Sequence, residues 1–123
     1  KAVIFVTGVL VHNAILAAKE LEEEKIGTIV ANVHTIKPID EKKVAELAKK
    51  TGAVVTVEEH QVHGGMGSAV AEVLGRLQPT PQEFIGLQNT FGESGNPWDL
   101  IKKYGMDVKD IKHAVKKVLR RTK

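Results

Sequence analysis

The stretch "KAVIFVTGVLVHNAILAAKELEEEKIGTIVANV", residues 1–33, decides the fold. It opens on an apolar, β-branched run, Ala2 to Val6, with no polar residue to mark a wet side, so it reads as a strand buried on both faces. Gly8 closes the strand, and the hydrophobic period then changes. Val11, Ala14, Ile15, Ala18 and Leu21 fall on one helical face while Lys19, Glu20, Glu22 and Glu23 fall on another, which predicts a helix of about four turns ending before Gly27. A second apolar run, Thr28 to Val33, follows. Strand, helix and strand in this order make a βαβ unit, which needs a parallel sheet with its crossover helix packed on one face.

The alternation continues. In "IKPIDEKKVAELAKKTG", Pro38 discourages helix at Lys37, Asp40 is placed to cap the next helix, Ile39 and Val44 form a hydrophobic staple, and Gly52 supplies a left-handed stop. Ala53 to Glu59 is a third strand, and Met66, Ala69, Val70, Val73, Leu74 and Leu77 form the stripe of a third helix. Phe84 to Gln88 is a shorter fourth strand. After the polar turn "NTFGESG", Asn96 caps a short helix with Pro97 at its first position, and Gly105 stops it. Asp107 and Asp110 open the last helix as a capping-box-like pair, Met106 and Ile111 supply its staple, and Ile111, Val115, Val118 and Leu119 face inward. The expected fold is α/β: a three-layer α/β/α domain with a mainly parallel sheet of order 2-1-3-4 and helices on both faces. Its topological switch point lies between the first and third strands, whose carboxyl ends are the "TGVL" and "EEHQVHGGMGS" turns.

The totals bound the rest. A chain of 123 residues is one domain's worth of sequence. No apolar run approaches the roughly 20 residues of a spanning helix, so no membrane partner is expected. Cysteine is absent, which excludes disulfides and thiolate zinc sites and accords with a cytoplasmic location. The run beginning at Lys1 carries no initiator methionine, signal or transit pattern, and reads as part of a longer or split polypeptide. Lys109, Lys112, Lys116, Arg120 and Lys123 recur at helical spacing, joined by Lys117 and Arg121. This stripe reads as the solvated face of a terminal helix, and without interleaved aromatics no nucleic-acid partner is expected. Lysine and glutamate outnumber arginine and aspartate, a compositional hint of heat adaptation.

The chemistry-bearing stretch is "EEHQVHGGMGS", Glu58 to Ser68. As a metal site it offers His60 and His63 with Glu58 or Glu59, but no HExxH helix frames them and no third ligand is indicated. As a phosphate cradle it offers Gly64, Gly65 and Gly67 at a helix start, yet the spacing is not G-x-G-x-x-G, the Walker lysine is missing, and two carboxylates would repel an anion. As a carboxylate pair it fails because adjacent strand residues point to opposite faces. One of the two is instead expected to be structural, accepting hydrogen bonds from the glycine-turn amides or from the "TG" turn. Ser68 reads as a helix N-cap and Ser94 as a turn residue, leaving no nucleophile with a poised base. The stretch therefore stands as a protein contact, as an anion or nucleotide regulatory site, as a solvent-exposed turn, or as a minor contributor to a catalytic mouth. His12 and His113 read as surface groups, His34 as a partly buried structural one. Trp98 is a lid over the fourth strand or part of an interface.

Taken in order, "VTGVLVHNAILAAKELEEEKI", "ANVHTIKPID", "GAVVTVEEHQVHGGMGSAVAEVL" and "TFGESGNPWDLIKKYGMDVKDI" resemble the C-terminal domain of transketolases. Deoxyxylulose-phosphate synthases and the β-subunits of 2-oxo acid dehydrogenase E1 components share this domain type. The resemblance covers essentially the whole chain and looks closest to the split form of transketolase. It implies an enzyme that uses thiamine diphosphate and a divalent metal (Mg) to move a two-carbon ketol unit between sugar phosphates. It also implies that this domain holds neither group: the thiamine-binding N-terminal and central domains, or a separate subunit, would do so. No catalytic, cofactor-binding or metal-binding residue carries over to this chain, whose implied role is packing and assembly in a homodimer or split-subunit oligomer. The family further implies an antiparallel edge strand preceding Lys1.

Overall fold

Four parallel strands, β1 (Ala2–Val6), β2 (Thr28–Asn32), β3 (Val54–Gln61) and β4 (Gln82–Leu87), form one sheet in the expected order β2-β1-β3-β4. The structure is a computed structural model that describes residues 1–33, 39–61, 65–87 and 107–122. Every residue of β1 is buried. Because successive side chains alternate, β1 feeds two cores at once. Ala2, Ile4 and Val6, with Val55 and Val57 of β3, meet Leu10, Ala14, Ala17 and Leu21 of the segment ending in helix α1 (Val11–Glu23) and Ile111, Val115 and Val118 of helix α4 (Val108–Arg121). On the other face Val3, Phe5 and Val54 meet Val44, Leu47 and Ala48 of helix α2 (Glu41–Thr51) and Met66, Val70, Val73 and Leu74 of helix α3 (Met66–Leu77). The three layers follow from one doubly covered strand.

The local punctuation behaves as its chemistry requires. The Asp40 carboxylate accepts the Lys43 N–H at 3.0 Å, Ile39 packs with Val44 in the α2/α3 core, and Gly52 takes φ +79° where α2 stops. Asp107 and Asp110 make a reciprocal capping box at the start of α4.

Several boundaries differ from the sequence reading. A single 3-10 turn, Gly8–Leu10, separates β1 from α1. That helix ends at Glu23, before Gly27 as expected, and Lys25, at φ +64°, makes a left-handed turn just after it. Its inward stripe centres on Asn13, Ala14, Ala17 and Leu21, and Ile15 is 41% exposed. Ile15 and Leu16 therefore lie at the edge of the buried stripe rather than within it. At the end of α3, Leu77 is likewise 50% exposed. β3 continues to Gln61, and β4 begins at Gln82 rather than Phe84 because Gln82 pairs with Val54 in the ladder. His34, Ser94, the Asn96-capped helix with Trp98, and the Met106 staple lie outside the described residues.

The basic stripe of α4 does more than face solvent. Lys112 Nζ lies 3.1 Å from Glu20 and 2.9 Å from Glu24 of the α1 end, and Lys116 also pairs with Glu24. Lys117 and Arg121 reach Glu83 of β4, and Arg121 donates to the Gln82 carbonyl at 2.9 Å. Hydrogen bonds from Lys116 and then Lys112 hold the Glu24 carboxyl below its ordinary range, while the bonds to Glu24 and Glu20 raise Lys112. Glu24 thus contributes stability that is present above its unfolded-state pKa and is lost as pH falls through the lower folded one. The Lys112 share is present at neutral pH and is lost only on alkalinisation past the ordinary lysine range. Urea midpoints measured against pH will therefore fall on acidification below the carboxylate range, and Glu24→Gln will flatten that acid arm. An unchanged arm in the variant would show that these exposed pairs contribute nothing.

Candidate functional site

The switch-point edge is built where β3 changes character. Val54, Val55 and Val57 are apolar, but Thr56 and Glu58, on the α3 side of the strand, are also buried. The pairing of β3 with β4 is regular to Val57, then shifts before Gln61 pairs with Leu87, so the irregularity falls on Glu58 to His60. Such breaks re-aim side chains at the end of a ladder.

Glu58 is 2% exposed and projects beneath the start of α3. Its Oε1 accepts the Met66 N–H at 3.0 Å and its Oε2 accepts the Gly67 N–H. These are N–H groups that a helix start leaves without intrahelical partners, and a carboxylate there also meets the positive end of the helix dipole. The expectation that one glutamate of the pair accepts from the glycine turn thus falls on Glu58. Ser68, by contrast, is not the N-cap: α3 begins at Met66, its N-cap position is the extended Gly65, and Ser68 sits within the first turn. Gly65 offers no side chain, so the cap comes from the adjoining strand.

Two further residues complete the arrangement. Gln82 Nε2 donates to Thr56 Oγ1 at 3.1 Å and to the Gly67 carbonyl at 3.0 Å, joining β4 to β3 and to α3. Neither was singled out in the sequence. The available signal was Thr56, a lone hydroxyl in a run otherwise reading as buried strand, since a buried polar group demands a partner. Gly67 is where the backbone approach is closest. A Cβ there would lie 2.9 Å from Glu58 Oε2, 2.9 Å from Phe84 Cδ2 and 3.0 Å from Thr56 Oγ1.

The candidate residues therefore separate. Glu58, Gly65, Gly67 and Ser68 come together around the α3 start, Glu59 and His60 lie in the backbone of β3, and His63 and Gly64 lie outside the described residues. His60 is thus a strand residue, not the loop residue expected. Among the described residues no group of three or more His, Asp or Glu could hold a metal ion. A carboxylate buried with both oxygens engaged by backbone amides is suited to holding structure.

Gly67→Ala is expected to cost about 1–3 kcal/mol through overpacking against β3 and β4. Gly75→Ala, inside the same helix with nothing within 4 Å of the added methyl, is expected to gain up to about 1 kcal/mol. Urea unfolding of the two variants beside the parent checks both signs; equal effects would refute the close approach at Gly67.

A profile of the transketolase C-terminal domain matches residues 1–111. Over 118 residues the chain is 48% identical to the 6-deoxy-6-sulfo-D-fructose transketolase subunit SqwH of Clostridium sp. (strain MSTE9), covering 96% of this chain and 37% of that protein. It is 41% identical over 111 residues to a transketolase of Rattus norvegicus, covering 89% of this chain and 18% of that one. A solved split-gene transketolase, described as an inactive beta4 tetramer, superposes with a TM-score of 0.94 at 44% identity, over 100% of this chain and 40% of its own. The chain thus spans well under half the length of these relatives, and it belongs to the transketolase C-terminal domain family.

Proposed function

We propose that the chain is the non-catalytic assembly domain of a thiamine diphosphate-dependent transketolase, which transfers a two-carbon ketol unit between sugar phosphates in the cytoplasm. The observation that carries this reading is the buried Glu58. Open α/β sheets hold their ligands at the carboxyl edge by the switch point, and here a carboxylate of the chain itself fills the helix start at that edge.

The α3 start does not fit thiamine diphosphate. Its diphosphate would need free N–H groups or cations and its metal a set of carboxylates, whereas the α3 start is already engaged by a negative charge. No step is derived through the cofactor. In this reading thiamine diphosphate and magnesium are held by companion N-terminal and central domains or by a separate subunit. The solved split-gene relative, inactive as a beta4 tetramer, supports expecting self-association without turnover when that companion is missing. The Glu58 to Ser68 turn and its neighbours at the carboxyl edge then serve as a contact face toward the thiamine-binding part, within a homodimer or a split-subunit oligomer.

The purified chain, assayed with sugar phosphates, thiamine diphosphate and magnesium, is expected to show no ketol transfer. Co-production with a thiamine-binding transketolase subunit is expected to give a stable complex on size exclusion, and activity to appear with it. Turnover by the chain alone, or failure of such subunits to associate with it, would overturn the reading.

A further inference from the structure

We infer that the Glu58 carboxylate is the resident anion of the glycine turn: it occupies the place an external phosphate or carboxylate would take, so the α3 start is closed to phosphate and nucleotide ligands in the native chain. This goes beyond the assembly role and holds whatever partner the domain has.

The geometry carries the inference in three steps. The two carboxylate oxygens are divided between two successive amides, Met66 and Gly67, the bidentate arrangement with which helix starts hold bound anions. The group is buried, so a second anion brought to the same amides would have to share a desolvated space with a negative charge already there. Among the described residues the space beside it is tight, since even one added methyl at Gly67 would stand 2.9 Å from Oε2. Gln82 holds the wall, spanning Thr56 and the Gly67 carbonyl. The glycines that resemble a phosphate loop in sequence are thus used at Gly67 to let the helix start descend onto a carboxylate of its own chain.

Removing that carboxylate reopens the place for a small carboxylate of similar shape. Glu58→Ala leaves the Met66 and Gly67 amides without their acceptor, and formate or acetate can supply one. Glu58→Gln keeps the volume but turns an amide NH₂ toward one of the two N–H donors, so it cannot reproduce the pair of bonds.

Thermal melting of the purified protein tests this. The parent is expected to show no shift in Tm with inorganic phosphate or ATP beyond that of chloride at equal ionic strength. Glu58→Gln and Glu58→Ala are expected to melt lower by roughly 5–10 °C, and formate is expected to restore a large part of the loss in Glu58→Ala alone. A parent stabilised by phosphate or ATP would overturn the inference, as would a Glu58→Ala protein that is destabilised yet indifferent to formate and acetate. If Glu58→Ala does not fold in any of these salts, amide hydrogen exchange in Glu58→Gln decides: faster exchange confined to one of the two amides, Met66 or Gly67, supports the resident anion, and unchanged protection at both refutes it.

Discussion

A strand that is apolar on both sides has to be covered on both sides, and β1 imposes that requirement on everything around it. Its five residues are all buried, so neither face can be left to water without exposing a large side chain or an unpaired backbone. Covering it needs a strand on each edge, β2 and β3, and a helix pair on each face, α1 with α4 and α2 with α3. Parallel strands reach this state only through crossovers, which place the helices where the cover is needed. Once β1 lies between β2 and β3, the chain has left it in opposite directions, and the carboxyl ends of β1 and β3 become the edge where open sheets of this kind carry their chemistry.

At that edge the domain spends its polar groups on itself. Burying a carboxylate costs several kcal/mol unless donors compensate it, and the start of α3 offers two backbone N–H groups that also need an acceptor. Each satisfies the other. Thr56, Gln82 and the Gly67 carbonyl extend the arrangement across two strands and a helix. The result is a set of mutually satisfied polar groups that fastens the α3 start to β3 and β4.

The last helix shows a weaker form of the same economy. Exposed ion pairs contribute little singly, but Lys112 and Lys116 share Glu24 while Lys117 and Arg121 share Glu83, and such shared pairs limit the entropy lost per contact. They tie α4 to the end of α1 and to the edge strand β4. The core side of α4, through Ile111, Val115 and Val118, does the packing. The charges add orientation to a helix already held by burial.

Sequence alone determined the features whose partners are near in the chain or recur with a fixed period. The apolar run of β1, the Asp40 cap on Lys43, the left-handed Gly52 and the Asp107–Asp110 box are of this kind, and with them came the order of elements, the parallel sheet and the resemblance to the family. Tertiary structure alone decided which glutamate caps α3, why Gly67 can carry no side chain, and what the basic stripe of α4 touches. Those outcomes rest on pairs such as Gln82 with Thr56, 26 residues apart, and Lys112 with Glu20, 92 apart. Contacts of that reach exist only after strands are in register and helices are seated, so no local pattern of residues encodes them.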